Sequence, residues 1–369
     1  MVVMAKIALI YDKFLVKAGG ERIFGLLLEA FPQADIFALN AHPRRYWEKK
    51  FNRRINTPIL GFLFRSRMAV ILFYPLACLL MSRVTVRADI AIAYSSSCGK
   101  YVNIESDKRI LYSNYPNRGI YEPAKVLKNR LLRIIATPFL ELFKFFELTQ
   151  IRKFNKVISI SETSRKALLK YTGVQSTVLL CPYDKKAIHS SAGQIGDDGS
   201  AEPYFLLISR LEPEKEINHI VKAFKTCSHL LRVIGTGSEY QSLRKMSSQN
   251  IKFLGFVEDD QLVREVSNCI AVIFPSDIEY SLVPIEANSL GKPVVAYDSE
   301  SARELLIDAE ENEDRGTAIF YKKRTSEEVN IALEKASTYN WKTQALLENA
   351  KRFDPDLFRS RLHSIVESQ

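Results

Sequence analysis

FPSDIEYSLVPIEANSLGKPVVAYD, Phe274 to Asp298, is the stretch whose reading decides the fold. The run AVIFPS (271–276) has the continuous apolar character of a buried parallel strand, and its Pro and Ser suit a loop leaving the strand's carboxyl end. A helix follows: Pro284 fits its first position, where a missing N–H costs nothing, and Gly291 fits the residue just past its end. Lys292 and Pro293 then lead into a second buried strand at 294–296. A strand–helix–strand unit of this kind carries its loop at the carboxyl edge of a sheet, where open α/β folds bind ligands. The unfilled N–H groups near 281–286 form a weak anion site, with Glu286 one turn inside it.

Composition sets the frame around that unit. With 369 residues, 47% hydrophobic and 25% charged, the chain is long enough for two globular domains. Its five cysteines (78, 98, 181, 227, 269) form no CxxC pair, so neither a disulfide framework nor a thiolate zinc site is indicated, and a reducing cytosol is the default. MVVMAKIALIYDK runs directly into a first strand, and no signal peptide is expected. Charge is more informative. Residues 1–185 hold 30 Lys and Arg against 13 Asp and Glu, whereas the remainder holds 22 against 29. That asymmetry points to a polyanion or an anionic lipid surface facing the first half, with a solvated basic face as the plainer alternative. Nucleic acid is not the expected partner, because the aromatics sit in apolar runs rather than among basic residues on a polar face.

In chain order, KIALIYD (6–12) reads as a first strand, followed by a loop with Gly19 and Gly20, a helix over 21–30 and a second strand over 34–40. Met68–Met81 is a 14-residue apolar run broken by Pro75 and bracketed by Arg65, Arg67 and Arg83. It is too short to span a bilayer, which takes about 20 residues, and reads either as a buried helix pair or as a surface dipping into a bilayer interface. Residues 125–156 hold a broad apolar stripe at helical spacing, much of it expected to be core, although Phe145 beside Phe143 and Phe146 suggests partial exposure to lipid or to a lipid-linked acceptor. Asp184–Glu202, rich in Gly, Ser and Asp, reads as a linker. The α/β rhythm restarts at YFLLISR (204–210), continues through a Gly-x-Gly turn at 235 and 237, and returns to the opening strand.

Glu286 followed by ANSLGKPVVA (287–296) resembles the signature of the retaining glycosyltransferases of family 4, which have the GT-B fold. That motif carries two glutamates with seven residues between them. The first position holds Ile278, flanked by Asp277 and Glu279, and the usual glycine of the following triplet is Ser281, beside Leu282 and Val283. Arg210 and Lys215 match the family's arginine and lysine, five positions apart, that hold the donor diphosphate. Breaking the sugar–phosphate bond develops negative charge on the leaving nucleoside diphosphate, and fixed cations stabilise it. Glu216 occupies a place that is often basic in relatives. The resemblance assigns Glu286 to the ribose hydroxyls, Glu279 or Asp277 to the donor sugar in place of the missing glutamate, and Phe256 or Val257 to the base. Gly235 also falls on the donor side, and Gly19 and Gly20 fall near the donor's leaving group. Aligned on Pro116 and Arg118, the family's histidine is Asn114, which can still hydrogen-bond a hydroxyl. The resemblance implies a front-face mechanism in which a donor phosphate oxygen assists deprotonation of the acceptor. SESARELL (299–306) lacks the family's two glycines but keeps its acid as Glu304.

The expected fold is therefore α/β, of GT-B type: two Rossmann-like domains with parallel sheets facing across a cleft. The first covers 1–185, a linker 186–202 follows, the donor domain covers 203–351, and a final helix at about 352–369 crosses back onto the first. The expected activity is retaining transfer of a hexose, mannose favoured, from a nucleotide-sugar to a lipid-linked or polysaccharide acceptor. GDP-mannose is the favoured donor, ahead of UDP-sugars. No DxD-type acidic site stands out, so no metal is expected to be required. The expected location is cytoplasmic, peripheral on the inner face of the cell membrane, bound to an anionic surface. Ile278, Asn114 and the missing glycines motivate the alternative of a catalytically weak, glycosyltransferase-like scaffold that binds nucleotide or membrane.

Overall fold

The computed structural model describes residues 5–15, 19–126, 129–186, 188 and 202–368. It divides into two compact units, one formed by Met1–Cys181 with Phe358–Gln369 and the other by Pro182–Leu357. The linker expected at 186–202 lies almost wholly outside the described residues.

The first unit contains β1 (Ile7–Tyr11), β2 (Asp35–Ala38), β3 (Ile55–Asn56), β4 (Thr85–Arg87), β5 (Ile90–Tyr94), β6 (Asn103–Glu105), β7 (Lys108–Ser113), β8 (Lys156–Ser159) and β9 (Thr177–Val178). Seven of these form one sheet in the order β3-β2-β1-β5-β7-β8-β9, while β4 and β6 pair apart. Every pairing is parallel. Parallel strands covered on both faces need continuous apolar runs, and IALIY and IAIAY supply them. The strand order reverses between β1 and β5.

The second unit contains β10 (Tyr204–Ile208), β11 (Leu230–Ile234), β12 (Ile251–Gly255), β13 (Val272–Phe274), β14 (Val294–Tyr297) and β15 (Ala318–Tyr321). They form one parallel sheet in the order β12-β11-β10-β13-β14-β15, which reverses between β10 and β13. This is the doubly wound order in which ligands bind at the carboxyl ends of the strands flanking the reversal. The opening stretch folds as its sequence predicts. β13 leads through a loop to the helix Val283–Ser289, Pro284 stands in its first turn, and Gly291 takes a left-handed φ of 70° just past its end.

The apolar segments of the first unit depart from expectation. The helix Arg130–Ile151 forms, but of its residues the buried ones are Glu147 and Ile151. Leu131 (70% exposed), Ile135 (66%), Phe139 (64%) and Phe145 (65%) face outward. Helical spacing defines a face without saying what covers it, so the expectation that much of this stripe is core is overturned. Met68–Met81 divides into two helices, Arg67–Leu72 and Tyr74–Ser82, with Pro75 in the first turn of the second. Val70, Ala77, Cys78 and Met81 are core, whereas Met68, Ile71, Leu72 and Phe73 are exposed. Among the described residues no helix is long and apolar enough to cross a membrane.

Candidate functional site

In the second unit the two loops flanking the reversal are built onto each other. Beyond β10, Ser209 N–H donates to the Ile234 carbonyl (3.0 Å) and Leu211 N–H to that of Thr236 (2.9 Å), so the loop leaving β10 runs alongside the loop leaving its other neighbour, β11. Glycine is obligatory there. A Cβ on Gly235, whose φ is 134°, would stand 1.8 Å from the Ser209 carbonyl oxygen, and one on Gly237 would stand 2.3 Å from that of Leu211. The Gly-x-Gly turn therefore fixes the loop that carries Arg210. The Arg210 guanidinium is exposed, 3.5 Å from Glu214 Oε1, a surface pair of small energetic weight. Lys215 is half-buried at the end of the turn Pro213–Lys215, and its carbonyl accepts from Ser276 Oγ at 3.1 Å. That bond ties the loop leaving β13 to the loop leaving β10.

Glu216 adopts a left-handed φ of 52°, uncommon for a residue other than glycine. Its carboxylate meets Arg324 Nη2 at 2.5 Å, and the Arg324 guanidinium lies 3.8 Å from the centre of the Tyr297 ring. The acid at a position that is often basic thus pairs with an arginine that follows β15. Next to it, buried His219 contacts the Tyr321 hydroxyl through Nε2 at 2.8 Å, and burial pushes its pKa down to about 4, so the ring is neutral near pH 7.

Glu286 is buried in the helix Val283–Ser289, with Leu282 buried and Ser281 and Val283 half-buried before it. Around the position of the missing glutamate, Asp277 is exposed and Ile278 and Glu279 are half-buried. The motif helix is held from behind by residues that sequence reading did not single out. Buried Asn349 donates through Nδ2 to Asn288 Oδ1 and to the Leu305 carbonyl, each at 2.8 Å. Arg352 donates to Asn349 Oδ1 (2.7 Å) and to the Glu304 carbonyl (2.9 Å). The signal was Asn288, a buried amide in the helix that carries Glu286. Phe256 follows Gly255 (φ 71°) at the end of β12 and is 61% exposed, while the Gly255 carbonyl accepts from Gly235 N–H at 2.7 Å. An exposed aromatic therefore stands on the same sheet edge as the Arg210 loop.

The first unit has its own reversal, closed by Asp12. Its carboxylate accepts from Ser95 Oγ (2.6 Å), Ser96 N–H (3.0 Å) and Gly99 N–H (2.7 Å), joining the ends of β1 and β5. Sequence reading did not single out this acid. Gly19 and Gly20 open the helix Gly19–Ala30, and a Cβ on Gly20 would stand 2.5 Å from the Tyr11 hydroxyl. Close packing against Tyr11 thus accounts for Gly20. The Tyr11 ring stacks on Tyr94 at 5.5 Å, and burial together with nearby Glu21 holds its pKa well above the usual tyrosine range. Asn114 follows β7, with its side chain against the Tyr94 hydroxyl. Its buried Oδ1 has no hydrogen-bond partner among the described residues. The interior also holds an ion pair, Lys100 Nζ to Glu147 Oε1 at 2.7 Å, both side chains essentially inaccessible, and the same oxygen accepts from Asn117 N–H at 3.3 Å.

The structure thus places Gly19, Gly20 and Asn114 at the carboxyl edge of the first sheet, and Arg210, Lys215, Gly235, Phe256, Glu279, Ser281, Leu282, Val283 and Glu286 at that of the second. Among the described residues no group of three or more His, Cys, Asp or Glu side chains is placed to hold a metal ion.

Residues 195–353 match the family described as Glycosyl transferases group 1. No curated protein is recognisably similar to the chain in sequence. Among solved structures, HepE of Anabaena in complex with UDP and glucose is similar with a TM-score of 0.71 at 17% identity, over 99% of this chain and 100% of that one. HepE has also been solved with UDP and with UDP-glucose. The sucrose-phosphate synthase of Thermosynechococcus elongatus is similar with a TM-score of 0.69 at 15% identity, over 98% of each chain. The lipopolysaccharide outer core galactosyltransferase WaaB is similar with a TM-score of 0.63 at 15% identity, over 98% of this chain and 99% of that one. These complexes correct the expected preference for a GDP-sugar, since the nucleotides bound in the similar HepE structures are uridine nucleotides. The physical reason is that the roles the resemblance implies for the motif's cations and acid concern parts common to every nucleoside diphosphate sugar and carry no information about the base. Likeness over nearly the full length at these identities shows the fold: two parallel-sheet, Rossmann-like domains of the GT-B architecture.

Proposed function

We propose that the chain transfers a hexose from a UDP-sugar to a lipid-linked or polysaccharide acceptor, with retention of configuration and without a metal ion. The observation that carries this reading is the coupling at the reversal of the second sheet. The Arg210–Lys215 loop is fixed by glycines 235 and 237 and tied through Ser276 to the loop that enters the Glu286 helix. Arg210 and Lys215 meet the charge that develops on the leaving diphosphate. Glu286 accepts from the ribose hydroxyls, and Phe256 with the backbone of Val257 covers the base. Ser281, Leu282 and Val283 approach the donor through their backbone, and Glu279 faces the donor sugar. In the first unit the orphan Oδ1 of Asn114 accepts from a sugar hydroxyl, replacing with an amide what an imidazole does elsewhere. HepE with UDP-glucose and the galactosyltransferase WaaB make glucose and galactose the first sugars to try.

The test is thermal stabilisation of the purified protein by UDP, UDP-glucose and UDP-galactose in the presence of EDTA, where a ligand at 100 times its dissociation constant adds about 2.7 kcal/mol. A shift that is lost in R210A and in E286Q supports the donor site. No shift with any uridine nucleotide overturns it and leaves the binding scaffold as the better account. Anomeric retention is read separately, from the NMR spectrum of the first product formed.

A further inference from the structure

The outward face of the helix Arg130–Ile151 carries Leu131, Ile134, Ile135, Phe139, Leu142 and Phe145, all exposed. A second exposed apolar segment, with Ile59, Phe62, Met68, Leu72 and Phe73, runs through the turn Ile59–Leu63 and the helix Arg67–Leu72. The two are neighbours. The turn Ile59–Leu63 packs on the helix Tyr74–Ser82, that helix and Arg130–Ile151 both pack on the turn Cys98–Tyr101, and the Tyr74 and Phe143 rings stand 5.7 Å apart. Soluble monomers rarely leave contiguous apolar surface of this kind uncovered.

Charge says what covers it. Between Glu48 and Asp89 the sequence holds eight Lys and Arg and no Asp or Glu, Arg87 alone of them being paired with a later acid, Glu105, among the ion pairs of the described residues, and Arg130 and Arg133 flank the start of the second segment. Glu141, the acid on the exposed part of that helix, is bound by Lys144 at 2.7 Å. A second copy of the chain would bring like charges together across this face, which disfavours self-association. An anionic bilayer meets both requirements, since its headgroup boundary accepts apolar side chains and its phosphates accept guanidinium groups. The helix is also fixed for such a role. Its far end is held in the interior by Glu147 on Lys100 and on the Asn117 backbone, leaving residues 130–146 as an outward-facing plank.

We propose that residues 59–73 and 130–146 form one docking face for an anionic lipid bilayer, on which the first unit rests without crossing it. This inference is independent of the transfer reaction proposed above. Its test is co-sedimentation of the full chain with vesicles of phosphatidylcholine alone or mixed with phosphatidylglycerol, at low and high salt. Binding is expected to the mixed vesicles, weakened by salt as the charge attraction is screened. The double variant I135S/F139S alters two exposed side chains and should keep its circular dichroism and its thermal shift with UDP, yet lose at least about tenfold in vesicle affinity, because the apolar area that enters the interface is gone. Failure of the unmodified chain to bind mixed vesicles at low salt overturns the proposal, as does unchanged binding by a folded I135S/F139S. A lipid-free dimer that this variant dissolves also overturns it, by assigning the face to a second copy.

Discussion

At Gly235 a single hydrogen atom separates an ordered loop from a collision. Its φ of 134° disfavours any side chain, and its Cβ position is filled by the Ser209 carbonyl. G235A should therefore destabilise the second unit by about 2–4 kcal/mol and weaken UDP binding through displacement of Arg210. Denaturant unfolding and the UDP-induced thermal shift measure the two effects, and a variant normal in both would mean that the loop re-forms without the contact. His219 gives a pH-dependent counterpart. Burial lowers its folded pKa to about 4, while the unfolded ring titrates near its usual value of about 6.5. Between those values the unfolded state binds the extra proton, so stability is complete above the unfolded pKa and falls as pH drops toward the folded one, by up to ~3 kcal/mol. H219Q should flatten the melting profile between pH 7 and about pH 5 relative to the unmodified chain. Parallel profiles would show that the ring is protonated in the folded state.

At the scale of the element, the helix Arg130–Ile151 depends on an ion pair rather than on its apolar stripe. Lys100 and Glu147 are both buried, and breaking such a pair by removing one partner costs about 3–5 kcal/mol because the other charge stays uncompensated. E147A should lower the unfolding free energy by about that amount, read from denaturant unfolding, whereas the paired replacement K100M/E147L should recover most of it. If the double variant is as unstable as E147A, the pair serves the backbone at Asn117 rather than mainly itself. The same helix shows where sequence reading runs out. The unit around Glu286 was legible because each local signal agreed with the next: a buried run, Pro284 at the helix start, Gly291 past its end and a second buried run. The stripe over 125–156 was legible as a helix but not as surface, since its spacing is the same whether protein or lipid faces it. Asp12, Asn349 and Arg352 were invisible for another reason. They act through contacts between residues 48 to 83 positions apart, which only the folded chain brings together.

For the whole molecule, the two readings place two different ligands on two different units. The features assigned to the uridine nucleotide fall between Arg210 and Glu286, and the lipid face falls at 59–73 and 130–146 of the basic half. Hydrogen exchange of the full chain should resolve them. UDP should slow exchange in the loops 209–216, 255–257 and 276–286, whose backbone groups surround the reversal between β10 and β13. Vesicles containing phosphatidylglycerol should slow exchange in 59–73 and 130–146 and leave those loops unchanged. The helix over 130–146 buries little apolar surface of its own, so its amides open readily in the absence of lipid, and added cover at its apolar face should register strongly there. Protection by vesicles in the second unit would instead show that its acidic surface is no barrier to lipid. It would also remove the charge asymmetry between the two halves, 30 basic against 13 acidic residues in one and 22 against 29 in the other, as a guide to which of them meets the membrane.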